Sequence, residues 1–221
     1  MMMEKQNYDK IFQDLVKTTQ EGTSLLLQVC CAPCSTAVLE RLLGHFQVTL
    51  FFDNPNIYPK EEYERRAFEV KRLAHTLEGL TFEETSYCPE RFHQVVDKYA
   101  HLKEGSARCF SCYRLRLEET ARVAKERGFD YFGTTLSISP HKNARVLNHL
   151  GEKLAKTYGV NFLYSDFKKK GGFKRSLELS ETYGLYRQDY CGCRYSLEEA
   201  KARQARKEGH EDKFVDKSVE Y

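Results

Sequence analysis

The residues best suited to chemistry in this 221-residue chain are its eight cysteines: Cys30, Cys31, Cys34, Cys88, Cys109, Cys112, Cys191 and Cys193. Seven fall in three tight groups, CCxxC, CxxC and CxC. That is too few for a secreted disulfide scaffold, and in a cytosolic chain clustered cysteines point to metal or redox chemistry. In Cys30-Cys31-Ala-Pro-Cys34, neighbouring sulfurs reach one site only where the backbone bends, as at a strand-to-helix turn. A helix start there would also favour thiolates. Cys109-Phe-Ser-Cys112 can share one metal. Together with the Cys30-Cys31 pair it offers four thiolates from two segments, a donor set for tetrahedral zinc or for an iron–sulfur cluster. In Cys191-Gly-Cys193 the single glycine lets both sulfurs face one point, either to share a metal or to work as a dithiol/disulfide pair. Cys34, Cys191 and Cys193 are surplus to four ligands, which argues against a lone structural zinc. Cys88 stands alone before Pro89 and reads as a small buried residue.

Polar constellations accompany them. Asp53-Asn54-Pro55-Asn56 offers acceptors for ribose hydroxyls or for a metal neighbour, or else forms an Asx-rich turn. Residues 134–143 are rich in hydroxyls and end in Ser139, His141, Lys142 and Asn143. They suit a phosphate or nucleobase, or ordinary helix capping. Residues 166–175 mix aromatic and basic side chains, with Lys168, Lys169, Lys170, Lys174 and Arg175 around two glycines. This is the pattern of an RNA-backbone contact. Tyr183, Tyr186 and Tyr190 either stack on bases or pack internally. The net charge of +3 says little, but residues 168–207 carry eleven Lys and Arg against five Asp and Glu. That block is compatible with a polyanion or with a solvated helix face.

The positioning elements follow from the apolar pattern. Nearly continuous apolar runs at 24–30 and 47–52, then 80–85, 131–137 and 161–165, read as buried strands. Between them lie helical stretches at 35–43, 60–77, 89–101, 113–127 and 143–158, followed by 175–183 and 196–208. The predicted fold class is α/β, a Rossmann-like three-layer parallel sheet with helices on both faces. It is expected to form one domain over 1–221, with its core at about 24–208 and residues 1–20 and 209–221 peripheral, the tail frayed. Ligands in such sheets bind at the carboxyl ends of the strands, where residues 30–34, 53–56 and 137–143 fall. The loop after the first strand has no glycine and no Lys-Ser/Thr, which excludes a P-loop. No apolar run approaches the ~20 residues that span a bilayer, and the N-terminus lacks an apolar signal core. A cytoplasmic protein with no membrane partner is expected.

Taken together, CCAPCS at 30–35, FFDNPNIYPKEEYERR at 51–66, ARCFSCYRLRL at 107–117, TTLSISPHKN at 134–143 and DFKKKGGFKRSLELSETYGLYRQDYCGCRYS at 166–196 closely resemble the QueH type of epoxyqueuosine reductase. The resemblance covers about residues 24–200. It implies the last step of queuosine biosynthesis, an oxidoreductase reaction at the wobble position of a tRNA anticodon. There an epoxide on the cyclopentane ring is reduced to an alkene without cobalamin. It also implies a fold similar to adenine-nucleotide α-hydrolase (HUP-type) domains and a [4Fe-4S] cluster, beside which lies an adjacent iron ion or a redox-active cysteine site. Carried over residue by residue, Cys30, Cys31, Cys109 and Cys112 become cluster ligands. Cys191 and Cys193 become the redox pair or ligands of the adjacent iron, and Cys34 joins either group. Asp189 and Tyr190, next to the CxC, are the first proton-donor candidates, with His141 and Asp53 after them. The implied partners are tRNA carrying epoxyqueuosine and an external ferredoxin- or flavodoxin-like electron donor. The competing readings are an ATP-pyrophosphatase-type tRNA sulfur transferase, which should carry a Ser/Gly-rich loop where Cys30–Cys34 stand, and a zinc-stabilised RNA-binding protein.

Overall fold

The computed structural model of the chain describes residues 6–215, with side chains to 208. Five strands form one parallel sheet: β1 (Ser24–Gln28), β2 (Gln47–Phe52), β3 (Leu80–Glu84), β4 (Tyr131–Thr134) and β5 (Asn161–Phe162), in the order β3-β2-β1-β4-β5. This is the expected α/β class. Because the order reverses beside β1, the carboxyl ends of β1 and β4 lie next to each other, and a crevice opens there.

Strand alternation divides the core in two. Leu25 and Leu27 of β1, with Val48, Leu50 and Phe52 of β2, face α1 (Tyr8–Thr18), α2 (Ala32–Leu42), α3 (Lys60–Thr76) and α7 (Gly172–Thr182). Leu26, Phe51, Phe132 and Phe162 face α5 (Ala107–Arg127) and α6 (Ala144–Tyr158). Helices α4 (Pro89–Val96) and α8 (Arg194–Val215) complete the order. Phe92 and Val96 of α4 pack with Tyr195 of α8 in a small third cluster.

Residues 1–20 include a helix that the sequence pattern was not expected to contain. In α1, Phe12 is buried edge-on against Phe167, and Arg41 donates 2.7 Å to Asp9. The tail beyond Glu208 was expected to be frayed. The backbone of α8 continues to Val215, and residues 216–221 lie outside the described residues. Two further boundaries bear on function. Helix α2 starts at Ala32 rather than at the predicted Ser35, and α5 starts at Ala107 rather than Tyr113. Cys109 and Cys112 are therefore helical, not part of the preceding loop.

Candidate functional site

Three helices begin at the three cysteine groups, and in each case a sulfur takes a backbone N–H. Cys31 caps α2, its Sγ accepting from Cys34 N at 3.3 Å. Cys109 Sγ accepts from Gly105 N at 3.2 Å at the start of α5. Cys193 Sγ accepts from Ser196 N at 3.4 Å at the start of α8. Free N–H groups and the positive ends of helices favour sulfur carrying negative charge. Pro33 fits the first turn of α2, where no donor is needed.

The sulfurs of Cys30, Cys31 and Cys34 lie within 4.8 Å of one another. Cys31 and Cys34 are paired as a disulfide, with Cα atoms 5.5 Å apart. Cys191 and Cys193 are both free thiols. Only two-electron reduction makes Cys31 and Cys34 thiolate ligands. Cys109 packs against the buried cluster that contains Cys30 and Cys31, and Cys112 and Cys193 both pack against the small third cluster. Burial pushes Cys112 up to about 12, with Cys191 and Cys193 adding to the rise. Burial also raises Cys109 and Cys193, opposed by their bonds to Gly105 and Ser196. Cys88 is partly exposed against Glu90 rather than buried as expected, because it caps α4 at the surface.

Residues 183–193 form a strap laid along α3. Arg72 donates to the carbonyls of Tyr183 and Gly184 at 3.2 and 3.0 Å, and Glu69 accepts from Tyr186 N. Arg66, 1% exposed, is paired with Glu62 at 2.6 Å. It donates to Cys191 O at 3.0 Å and to Tyr190 O at 3.3 Å. Tyr58 N closes the end on Gly192 O at 2.8 Å. Gly192 has φ +136°, and a Cβ there would meet Arg66 Nη1 at 3.0 Å, Ile57 and Asn56. Glycine is required at this position both by conformation and by space.

A cavity of about 450 Å³ opens between these segments at the carboxyl ends of β1 and β4. Cys30, Cys34 and Cys191 line it, with Ser139, His141, Lys142, Asp189 and Tyr190. Lys142 is raised: burial pulls it down, but the charges of Cys191 and Cys30 more than offset that. Glu104, Arg187, Gln188 and Arg203 also line the cavity. Both arginines fall in the basic block, but nothing in their spacing singles them out.

Other expected site residues are placed elsewhere. Asp53, 1% exposed, accepts from Thr85 and Arg91, and burial raises its carboxyl. Asn54 accepts from Gln28 and Arg116 and donates to Val29 O. Asn56 is buried against the glycine of the CxC. All three are buried at the strand ends. Asn143 caps α6, accepting from Arg145 and Val146 N. Arg175 is paired with Glu40 and Glu178, and Lys168 with Asp166. Lys169, Lys170 and Lys174 are exposed. Gly172 serves internal packing: a Cβ there would collide with Phe167 O. Tyr186 packs under Arg65 and donates to Glu62, and the Tyr190 hydroxyl donates to Tyr58 O at 2.6 Å.

The family model for epoxyqueuosine reductase QueH matches residues 25–199. The chain belongs to this family. The epoxyqueuosine reductase QueH of Streptococcus pyogenes serotype M1 is 42% identical over 201 residues, covering 87% of this chain and 79% of the relative. That of Staphylococcus epidermidis is 37% identical over all of this chain and 93% of its own. The Thermotoga maritima relative is 38% identical over 85% of this chain and 98% of its own. A solved structure described as a predicted subunit of a tRNA methyltransferase from Methanocaldococcus jannaschii aligns with TM-score 0.46 and 13% identity, over 72% of this chain and 76% of that one. The family match spans every cysteine group, the strap and all but one of the residues named on the cavity wall, Arg203 lying just beyond it. Among the described residues no helix is long and apolar enough to cross a membrane.

Proposed function

We propose that this chain reduces epoxyqueuosine to queuosine in the anticodon of tRNA. The observation that carries the reading is the cavity at the sheet's carboxyl edge lined by Cys30, Cys34 and Cys191, in a chain of this family whose Cys109 packs against the same cluster as Cys30 and Cys31. The reaction breaks both C–O bonds of the epoxide, forms an alkene and releases the oxygen as water. It consumes two electrons and two protons, the electrons coming from an external ferredoxin- or flavodoxin-like protein.

The donor set suits an iron–sulfur centre. Seven sulfurs exceed the four of a structural zinc, and the buried arginine Arg116 and Lys142 face them with positive charge. Cys30, Cys31, Cys109 and Cys112 would hold a [4Fe-4S] cluster, and Cys34, Cys191 and Cys193 a redox pair or an adjacent iron. When bound, the cluster supplies electrons singly. The chain's own residues do the rest. Lys142, Arg187 and Arg203 bring positive charge to the cavity and its mouth and suit the phosphates beside the modified nucleotide. His141 and Ser139 offer hydrogen bonds on the wall. Asp189 lies exposed on the strap and is the proton source of this reading, since the Tyr190 hydroxyl is already committed and raised by burial.

The test is anaerobic turnover of epoxyqueuosine-containing tRNA by iron-reconstituted protein with a strong reductant, following the nucleoside by mass. Loss of one oxygen, abolished by Cys109→Ala and by Cys191→Ala, is expected. No conversion by protein with a full iron–sulfur complement would overturn the reading. Asp189→Asn should lose turnover at unchanged metal content, and full turnover would remove Asp189 as the proton source.

A further inference from the structure

Three arginines are buried around the cysteines, and one differs from the others. Arg66 is paired with Glu62 and Arg108 with Glu199, each at 2.6 Å. Arg116 is 2% exposed, and among the described residues it forms no ion pair. Its Nη2 donates to Asn54 Oδ1 at 2.7 Å, and its Nε has no partner. Asn54 is a neutral acceptor held in place by Gln28 and by Val29 O. A guanidinium taken out of water and given only a neutral partner is costly unless negative charge opposes it.

The leading negative charges that act on it are those of sulfur, Cys112 first. Arg116 follows Cys112 by four residues on α5, so the two side chains share a helix face, and Cys109 lies on the same stripe two turns back. Cys30 at the end of β1 and Cys191 on the strap are the other groups whose negative charge acts on it. Arg116 is thus joined to the strand ends through Asn54 and shares a helix face with Cys112. It does not line the cavity, so it cannot touch a substrate there.

We propose that Arg116 is the counter-charge of the cysteine centre: it retains net negative charge there and biases a bound redox group toward its reduced form. Reduction adds negative charge, and a fixed cation nearby stabilises that charge, so the midpoint potential rises. The inference rests on the iron–sulfur reading above and deepens it. Arg116 is a positioning and tuning residue, not a catalytic one.

The test compares wild type with Arg116→Met, which keeps length without charge, and Arg116→Lys, which keeps charge. Iron per chain and the midpoint potential are measured on anaerobically reconstituted protein by spin-resonance-monitored titration. Arg116→Met should lower the reduced-to-oxidised ratio at a fixed potential at least tenfold, about 59 mV for one electron. Arg116→Lys should stay near wild type. A wild-type potential in Arg116→Met at full iron content would overturn the proposal. Should Arg116→Met not fold by circular dichroism, Arg116→Gln takes its place, with the same expected and overturning results. A second arm titrates cobalt(II) into reduced, metal-free protein and follows the sulfur-to-cobalt charge-transfer band. The uncharged variant should bind at least tenfold more weakly than wild type and Arg116→Lys, and equal affinity would overturn the proposal. Wild type that binds cobalt through sulfur but assembles no cluster would sink the iron–sulfur reading, while the cobalt arm still decides the role of Arg116.

Discussion

Cys30, Cys31 and Cys34 are held by secondary structure, whereas Cys191 and Cys193 are held by side chains. The first group sits between β1, central in the sheet, and the first turn of α2, so backbone hydrogen bonds on both sides set its position. The second sits on a strap with no regular structure, tied by Arg66, Glu69, Arg72 and the Tyr58 backbone. A site assembled from both kinds of support has a rigid wall and a wall that depends on a few buried polar contacts. The difference teaches where this site is easiest to damage and where its geometry is open to adjustment.

The sharpest way to break the comparison is Arg66→Ala. It frees the carbonyls of Tyr190 and Cys191 and strands Glu62 without its partner. The expected cost is about 3–5 kcal/mol of stability, read by urea unfolding, and at least a hundredfold loss of turnover. The Cys31–Cys34 pair should survive, as shown by mass spectrometry of alkylated peptides; losing both walls alike would mean they are not independent. Gly192→Ala is the next step down. Its strained backbone and the 3.0 Å approach to Arg66 predict about 1–3 kcal/mol and about tenfold lower turnover, with unchanged alkylation of Cys30.

Acidity sharpens the contrast further. Burial holds the Cys112 thiol up to about 12 in the folded protein, so metal binding must displace its proton. Metal affinity of the reduced, metal-free protein should therefore rise with pH across the neutral range, by up to about one log unit per pH unit for each such thiol. Zinc competition with a chelator at pH 6.5 and 8.5 measures it, and a flat profile would contradict the geometry. Smallest of all is Arg175→Ala on the basic surface. Its pairs with Glu40 and Glu178 are half exposed and screened by solvent, so thermal unfolding should be indistinguishable from wild type, and a clearly lowered midpoint would contradict this.

The rigid wall was legible in the sequence and the strap was not. The apolar run of β1 and the span Gln47–Phe52 of β2 stand where the pattern puts them, because a doubly covered parallel strand is apolar throughout. Helix starts slipped by three residues at α2, where a cysteine sulfur does the capping, and by six at α5, whose N-cap Ser106 makes no side-chain capping bond. Helix α1 had a readable signal in Asn7 as cap with Phe12 and Leu15 on one face, within a segment set aside as peripheral. Glu62 and Arg66 sit in a highly charged helix that looks solvated. Only contacts spanning more than a hundred residues reveal that they are buried. The lysines of 168–174 advertised an RNA contact by composition, whereas Arg187 and Arg203 reach the cavity by geometry alone.

The strap also sets an order of events during synthesis. Cys30 leaves the ribosome roughly 8–30 s before Cys193 at ordinary elongation rates. For that interval the sheet-side sulfurs exist without the cysteines that complete the site. The α3 side chains that will grip the strap have been made by then, but the strap has not. A full set of seven sulfurs thus exists only once Cys193 has been made. Anything that shortens the chain before Cys193 leaves a folded sheet edge with an open cluster of thiols, prone to mispairing with other proteins.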